Sequence, residues 1–384
     1  MRDLAWRNAD RVVIHSHMWD VVPTIAFGVA GGPPVLLVNH ADHTFWVGAA
    51  ITDLVVNLRR AGEELTIRNR GLDRSFLFRI PLAEPSDPLR SEHDRAAIRE
   101  RLNIHPSAVV FLTIGSAYKY LAVGDLDFVS MAKTLLTRLP EAYLVAVGPS
   151  AQDADWKAAV RTFAPRLIPV GEQRPATSYH AAADIYLEGF PFDSHTALLE
   201  AAVSGLPVVR IPATAVPPFS GHHFPLSAVP QPADVEGYLR YAISLSHSSE
   251  MRRAAAAALH DAVVGLQCGT AWRARLGELK NAVPARHAIR ELHPVDTDRE
   301  LDRFWTMFQM RRYPIDPLRF VLGLAAEEQL DSGPGLKLIQ AEYRSQLGRQ
   351  SMKTRARNFL ADRVFGVNPG RLGTLHSLVM KLKR

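Results

Sequence analysis

A single cysteine, Cys268, in 384 residues excludes an intramolecular disulfide and gives no support to a thiolate metal cluster. Long apolar runs are missing too, since no stretch approaches the ~18–20 uncharged apolar residues that a spanning helix needs. The opening segment, MRDLAWRNADRVV, has acids among its first residues and no apolar core, so it does not read as a signal peptide. Disorder is excluded by what is present instead: 47% of the chain is hydrophobic and only 22% charged. The expectation is a soluble, cytoplasmic protein, long enough for two α/β domains and a small extra element.

Most of the chain also lacks excess positive charge. The net charge of +6 is concentrated in residues 344–384, which hold ten Lys/Arg against one acid, Asp362. The preceding residues are slightly acidic. A neutral body with a cationic end argues against a nucleic-acid-binding protein and points the tail at an anionic surface. Interleaved with the bases are Phe359, Leu360, Val364, Phe365, Leu378, Val379 and Leu382, the mix of a helix lying on an anionic membrane, peripheral at its inner face. Packing of these apolar residues across the domains is the competing reading.

Short unalternated apolar runs are frequent: Val12–Ile14, Val35–Val38, Leu54–Val56 and Phe76–Ile80, then Val109–Ile114, Tyr143–Val147, Leu167–Val170, Ile185–Leu187 and Val208–Ile211. Amphipathic segments such as Asp127–Leu139, Asp153–Phe163 and Thr196–Ser204 separate the later ones. Such runs predict strands buried on both faces of parallel sheets, hence a doubly wound α/β fold. The segment PLAEPSDP, Pro81 to Pro88, reads as a linker, followed by a polar helix over 91–102. The organisation expected is a partial Rossmann-like unit over 1–90 with three or four strands, a complete one over 105–284 with five or six, and a helical extension over 285–384. Helices are expected there at 297–312, 316–330 and 334–348.

Three segments carry candidate chemistry. In EGFPFDSHTALLEAAVSGLPVV, Glu188 to Val209, a strand ends in a loop and Asp193-Ser194-His195-Thr196 leads into a helix. Asp193 or Ser194 would cap that helix, whose first-turn N–H groups favour phosphate at the carboxyl edge of the sheet. Glu200, further along, is placed to accept hydrogen bonds from a ribose diol. The competing reading leaves a plain cap and a solvated acid. In FLTIGSAYKY, Phe111 to Tyr120, a buried strand ends at Gly115-Ser116 and Lys119 follows, suited to neutralise a diphosphate. The strand-end glycines Gly148 and Gly171 could border a base. In VNHADHTFWVG, Val38 to Gly48, His40 and His43 cluster with Asp42, and a histidine suits general-base work on a hydroxyl. They serve equally as polar groups at a domain interface. No metal is expected, because neither His15-x-His17 nor His40-x-x-His43 has a third ligand at a recognisable spacing. Arg68 and Arg70 are candidates for phosphate from the opposite wall, or for a solvated turn.

The segment ending Glu200-Ala201-…-Gly205-Leu206-Pro207-Val208-Val209 resembles the donor-site signature of GT-B glycosyltransferases, and His195-Thr196 with the following acid resembles the uridine-diphosphate loop of O-GlcNAc-transferase-like enzymes. The resemblance covers about 105–280. It implies that Glu200 holds the donor ribose and that His195 and Thr196, with Gly115, Ser116, Lys119, Asp193 and Ser194 around them, hold the diphosphate. His40 and His43 would be the catalytic candidates. It further implies hexosyl or N-acetylhexosaminyl transfer from a nucleotide diphosphate sugar, UDP-linked, to an acceptor hydroxyl, without a cofactor. The first domain is shorter than the family pattern, which keeps two alternatives: a non-catalytic binding or scaffold protein, and a sugar-nucleotide epimerase. The short domain also predicts an open sheet edge near residues 11–15 or 35–38, covered by a second copy or by a further N-terminal segment.

Overall fold

The computed structural model describes residues 1–42, 46–83, 92–214, 223–285, 287–292, 338–339 and 341–342. His43, the basic tail and nearly all of the three expected late helices lie outside them.

The N-terminal half contains helix α1 (Arg2–Asn8), strand β1 (Val12–Ile14), α2 (Val22–Ala26), β2 (Val35–Asn39), β3 (Leu54–Asn57), α3 (Arg60–Arg70) and β4 (Ser75–Leu77). Its strands are all parallel and lie side by side in chain order, β1-β2-β3-β4. The second half runs α4 (Glu92–Arg101), β5 (Val110–Ile114), α5 (Phe128–Arg138), β6 (Tyr143–Val147), α6 (Ala154–Phe163), β7 (Leu167–Gly171), β8 (Ile185–Leu187), α7 (His195–Val203), β9 (Val208–Val209), α8 (Val235–His247), α9 (Ser249–Gln267) and α10 (Gly269–Ala282). The five strands form a parallel sheet of order β7-β6-β5-β8-β9. The chain moves outward from β5 to β7, returns across β5 to β8, and so leaves a topological switch beside β5.

Period-two packing explains why these strands read as unbroken apolar runs. Phe111, Leu144, Ala146, Ile185 and Leu187 face one core with Phe128, Trp156 and Tyr238, while Val110, Leu112, Val145, Val147 and Tyr186 face another with Leu198, Leu199 and Leu259. Both faces are dry, so no polar alternation survives. The polar helix α4 docks through its guanidiniums: Arg95 and Arg99 both pair with Asp184, at 2.7 and 2.8 Å.

Two strands end earlier than their apolar runs predict. β4 stops at Leu77 because the Arg79 carbonyl turns to accept the Trp272 indole N–H of α10 at 3.0 Å. β9 stops at Val209 because the Glu188 carboxylate takes the Ile211 N–H at 2.6 Å. Of the two candidate open edges, Val35–Asn39 is interior, paired on both sides. The edge is β1, which pairs only with β2 among the described residues and exposes Val13 at 62%.

The chain after α10 returns to the first sheet. His287 is buried, with Nδ1 2.8 Å from Asp53 Oδ2 and Nε2 2.8 Å from the Phe27 carbonyl oxygen. Both ring nitrogens face acceptors, an arrangement that suits the doubly protonated ring. Burial opposes that charge, but the Asp53 and Phe27 hydrogen bonds outweigh it and raise the His287 pKa. Burial likewise opposes the Asp53 charge, and hydrogen bonds from His287, Val35 and Ala288 outweigh it and lower its pKa. Further on, buried Glu342 accepts the Gly48 and Ala50 N–H groups at 2.8 and 2.7 Å.

The raised His287 pKa gives stability that is complete below its unfolded value and lost as pH rises through the folded one. The lowered Asp53 pKa gives stability present above its unfolded value and lost as pH falls through the folded one. Melting temperature should therefore be highest between about pH 4 and 6.5 as far as this pair is concerned, and fall on the alkaline side. His287→Ala should cost about 3 kcal/mol near pH 6, since it strands a buried carboxylate. Urea unfolding of both proteins across pH checks this, and an unchanged alkaline slope in the variant would count against the pairing.

Candidate functional site

A cleft of about 560 Å³ lies between the two sheets. The first sheet lines it with Asn39, His40, Asp42, Leu58 and Arg59, which follow or end β2 and β3. The second sheet supplies Gly115, Ser116 and Lys119 after β5, Glu172 and Arg174 after β7, and Asp193, Ser194, His195, Thr196 and Glu200 from the β8–α7 loop and α7. The β5 and β8 loops flank the switch point, where a doubly wound sheet opens at its carboxyl end. Of the sequence-derived candidates among the described residues, His40, Gly115, Ser116, Lys119, Gly148, Asp193, Ser194, His195, Thr196 and Glu200 meet in this one place.

Asp193 organises that place. Its carboxylate accepts the Arg59 Nη1–H at 2.5 Å from across the cleft, and its carbonyl accepts the Lys119 ammonium at 2.8 Å. Arg59 also grips Asp42 with a fork, Nε to Oδ2 at 2.5 Å and Nη2 to Oδ1 at 2.8 Å. Burial alone would lower the Arg59 pKa, but Asp193 and Asp42 more than offset it and raise it, so the guanidinium stays charged. Asp42 can lie against α3 because residue 62 is glycine, where a Cβ would stand 2.7 Å from Asp42 Oδ2.

The capping expectation for α7 is corrected. Ser194 occupies the N-cap position but its side chain makes no capping hydrogen bond, and the Asp193 carboxylate is drawn to Arg59 instead. The first-turn residues His195, Thr196 and Ala197 consequently line the cleft. Burial, with Arg59 nearby, pushes the His195 pKa down to about 4, so the ring is a neutral hydrogen-bonding group at neutral pH. Burial raises the pKa of the half-buried Glu200. Close approach of the strand-end loops is set at Gly148, whose φ is +113° and where a Cβ would meet the Gly115 carbonyl oxygen at 1.9 Å. Gly148 lines the cleft and Gly171 does not, although its neighbours Glu172 and Gln173 do.

His40 is exposed at the cleft wall, its ring 5.1 Å from His15 in a T-shaped pair. Arg68 and Arg70 are not cleft residues. Arg68 is exposed elsewhere, and Arg70 is buried over the Trp46 ring at 4.8 Å, donating to the Asp42 carbonyl oxygen at 2.9 Å. Burial pushes the Arg70 pKa down to about 9, partly offset by Asp42. The basic residue of the first sheet that does reach the cleft is Arg59. Its signal was in the sequence, since it follows the end of a buried strand as Lys119 does. Arg174 was missed likewise. Also unforeseen was Glu188, buried beneath the loop, whose pKa burial and the Asp193 charge push up to about 8. Among the described residues no group of three His, Cys, Asp or Glu side chains could hold a metal, and no helix is long and apolar enough to cross a membrane.

No protein-family model and no curated protein sequence matches the chain. Solved structures do. A glycosyltransferase from Rickettsia africae ESF-5 superposes with a TM-score of 0.57 at 11% identity, covering 73% of this chain and 78% of that one. WaaG, a glycosyltransferase involved in lipopolysaccharide biosynthesis, superposes at 0.51 and 14% identity, covering 73% and 80%. The fold is that of the GT-B glycosyltransferases. The chain spans about half the length of another similar structure, Staphylococcus aureus TarM, covering 51% of it.

Removing the Arg59 side chain should leave two buried carboxylates without their guanidinium and cost about 3–5 kcal/mol, the range for breaking a buried pair. A double-mutant cycle of Arg59→Ala with Asp193→Ala, read by urea unfolding, should show strong positive coupling. Additive losses would mean that solvent screens the bridge.

Proposed function

We propose that this chain is a glycosyltransferase that moves a sugar from a nucleotide diphosphate, UDP by the likeness of its β8–α7 loop, to an acceptor hydroxyl. The observation that carries the reading is the convergence, at the switch point, of Lys119, the α7 N-terminus without a side-chain cap, and Glu200 in one cleft. A departing diphosphate gains charge as the C1–O bond breaks. A lysine ammonium and fixed helix N–H groups stabilise that charge more than they stabilise the ground state. Glu200 takes the ribose hydroxyls. The acceptor oxygen bonds to C1 while its proton passes to a base, for which His40 is the candidate from the first sheet. With cationic and N–H groups opposite the diphosphate, the reading requires no metal.

Calorimetry with UDP tests it. Glu200→Ala should weaken binding by about 1–3 kcal/mol, the cost of a charge-assisted hydrogen bond. Lys119→Ala should lower turnover about a hundredfold or more, as expected for loss of a group that stabilises developing charge. Chelator should change neither. An unaltered dissociation constant in folded Glu200→Ala would return Glu200 to a solvated acid, and binding with no donor hydrolysis or transfer would favour a scaffold over an enzyme.

A further inference from the structure

Behind the Arg59–Asp193 bridge the protein has a second, smaller cavity of about 40 Å³, lined by Arg59, Arg60, Arg79, His195, His223 and Phe224, among others. Arg59, Asp193 and His195 line both this cavity and the main cleft, so the two spaces share a wall at the start of α7. We propose that this cavity is a subsite for an anionic group, a phosphate or a carboxylate, carried by the acceptor. The inference rests on reading the main cleft as the donor site.

Charge and size both favour it. Of the cations here, Arg59 is neutralised by Asp42 and Asp193, Arg60 pairs with Glu63 at 2.5 Å, and His223 lies 3.2 Å from Glu64. Arg79 differs. Its guanidinium makes one long hydrogen bond, 3.4 Å to the Phe224 carbonyl oxygen, and no ion pair among the described residues. It is partly buried, and burial, followed by the nearby Arg275 and Arg60 charges, lowers its pKa. Glu63, already paired with Arg60, offsets this only in part, and a cation held beside other cations with no ion pair of its own gains most from an incoming oxyanion.

The position of Arg79 is built. Its carbonyl accepts the Trp272 N–H, the preceding Phe78 N–H donates to the Asn57 carbonyl at 2.8 Å, and the Phe78 and Trp272 rings are 4.8 Å apart. A cavity of about 40 Å³ takes about three waters at the ~10–15 Å³ each requires, which suits one oxyanion and is too small for a sugar ring or a nucleotide. The sugar-bearing part of an acceptor would therefore stay in the main cleft, with only its charged group passing behind the bridge.

The test is calorimetry on the full chain saturated with UDP, titrated separately with inorganic phosphate, glycerol 3-phosphate and acetate. Phosphate should bind, and Arg79→Gln should weaken it about tenfold while leaving the UDP affinity unchanged. Arg79→Lys should fall between, because it keeps the charge and loses the fork. Arg60→Gln, at an exposed position, should weaken phosphate more mildly without a folding penalty. Tighter glycerol 3-phosphate than acetate assigns the group to a phosphoester, and the reverse order to a carboxylate. If UDP does not bind, the donor reading fails by itself. Phosphate affinity without UDP that responds to Arg79→Gln and not to Lys119→Ala would still support the subsite. A folded Arg79→Gln protein that binds phosphate as the native chain does, or a native chain that binds none of the three anions, overturns it.

Discussion

Asp193 is held from two sides, and the architecture of the cleft depends on it. Its carboxylate reaches the first sheet through Arg59, and its carbonyl fixes Lys119 within the second. Each contact alone is an ordinary charge-assisted hydrogen bond. Together they set the distance between the loops after β3, β5 and β8, because Arg59 is itself forked onto Asp42 and cannot follow Asp193 away. A guanidinium is the group for this task, since its planar fork serves two carboxylates at once and stays charged when buried. Lysine at position 59 would meet one carboxylate well and leave the other buried without a partner cation.

That bridge also decides what the start of α7 can do. A free Asp193 would fold back to cap the helix, as its sequence position invites. Pairing with Arg59 takes the carboxylate away, and the first turn faces the cleft without a side-chain cap. The same residue therefore joins the two sheets and leaves the helix end open to a ligand. Two kinds of electrostatics meet here: a cation already satisfied by the protein in Arg59, and partial positive charge at the α7 terminus.

The two sheets are tied again far from the cleft. Helix α10 crosses from the second half to place Leu279 against Leu36, Leu54 and Val56, and its Trp272 anchors the segment after β4. Beyond it, His287 and Arg290 run along the first sheet, Arg290 pairing with Asp73 at 2.6 Å and His287 buried against Asp53. The four described strands of the first sheet leave apolar surface that the returning chain covers with Ile289, Leu292 and Leu338.

The sequence by itself determined the class and order of the elements. Unbroken runs such as Val110–Ile114 and Tyr143–Val147 can be dry on both faces only in a covered parallel sheet, so the pattern was legible without partners. It also marked Lys119, the Asp193–Thr196 segment and Glu200, because residues just past a buried strand gather at one edge of such a sheet. What the tertiary structure alone decided was pairing between distant segments. Arg59 and Asp193 are 134 positions apart, and nothing local shows that Arg59 enters the cleft while Arg70, eleven positions on, turns inward to Trp46. Arg59 is the extended residue before α3 and Arg70 the last residue within it; both meet Asp42, Arg59 at its carboxylate and Arg70 at its carbonyl oxygen, and the further partner of each is the group that the fold brings near, Asp193 for one and the Trp46 ring for the other. The cap of α7 was misread for the same reason: local spacing offers Asp193 to its own helix, and a cation from the other sheet competes for it and wins.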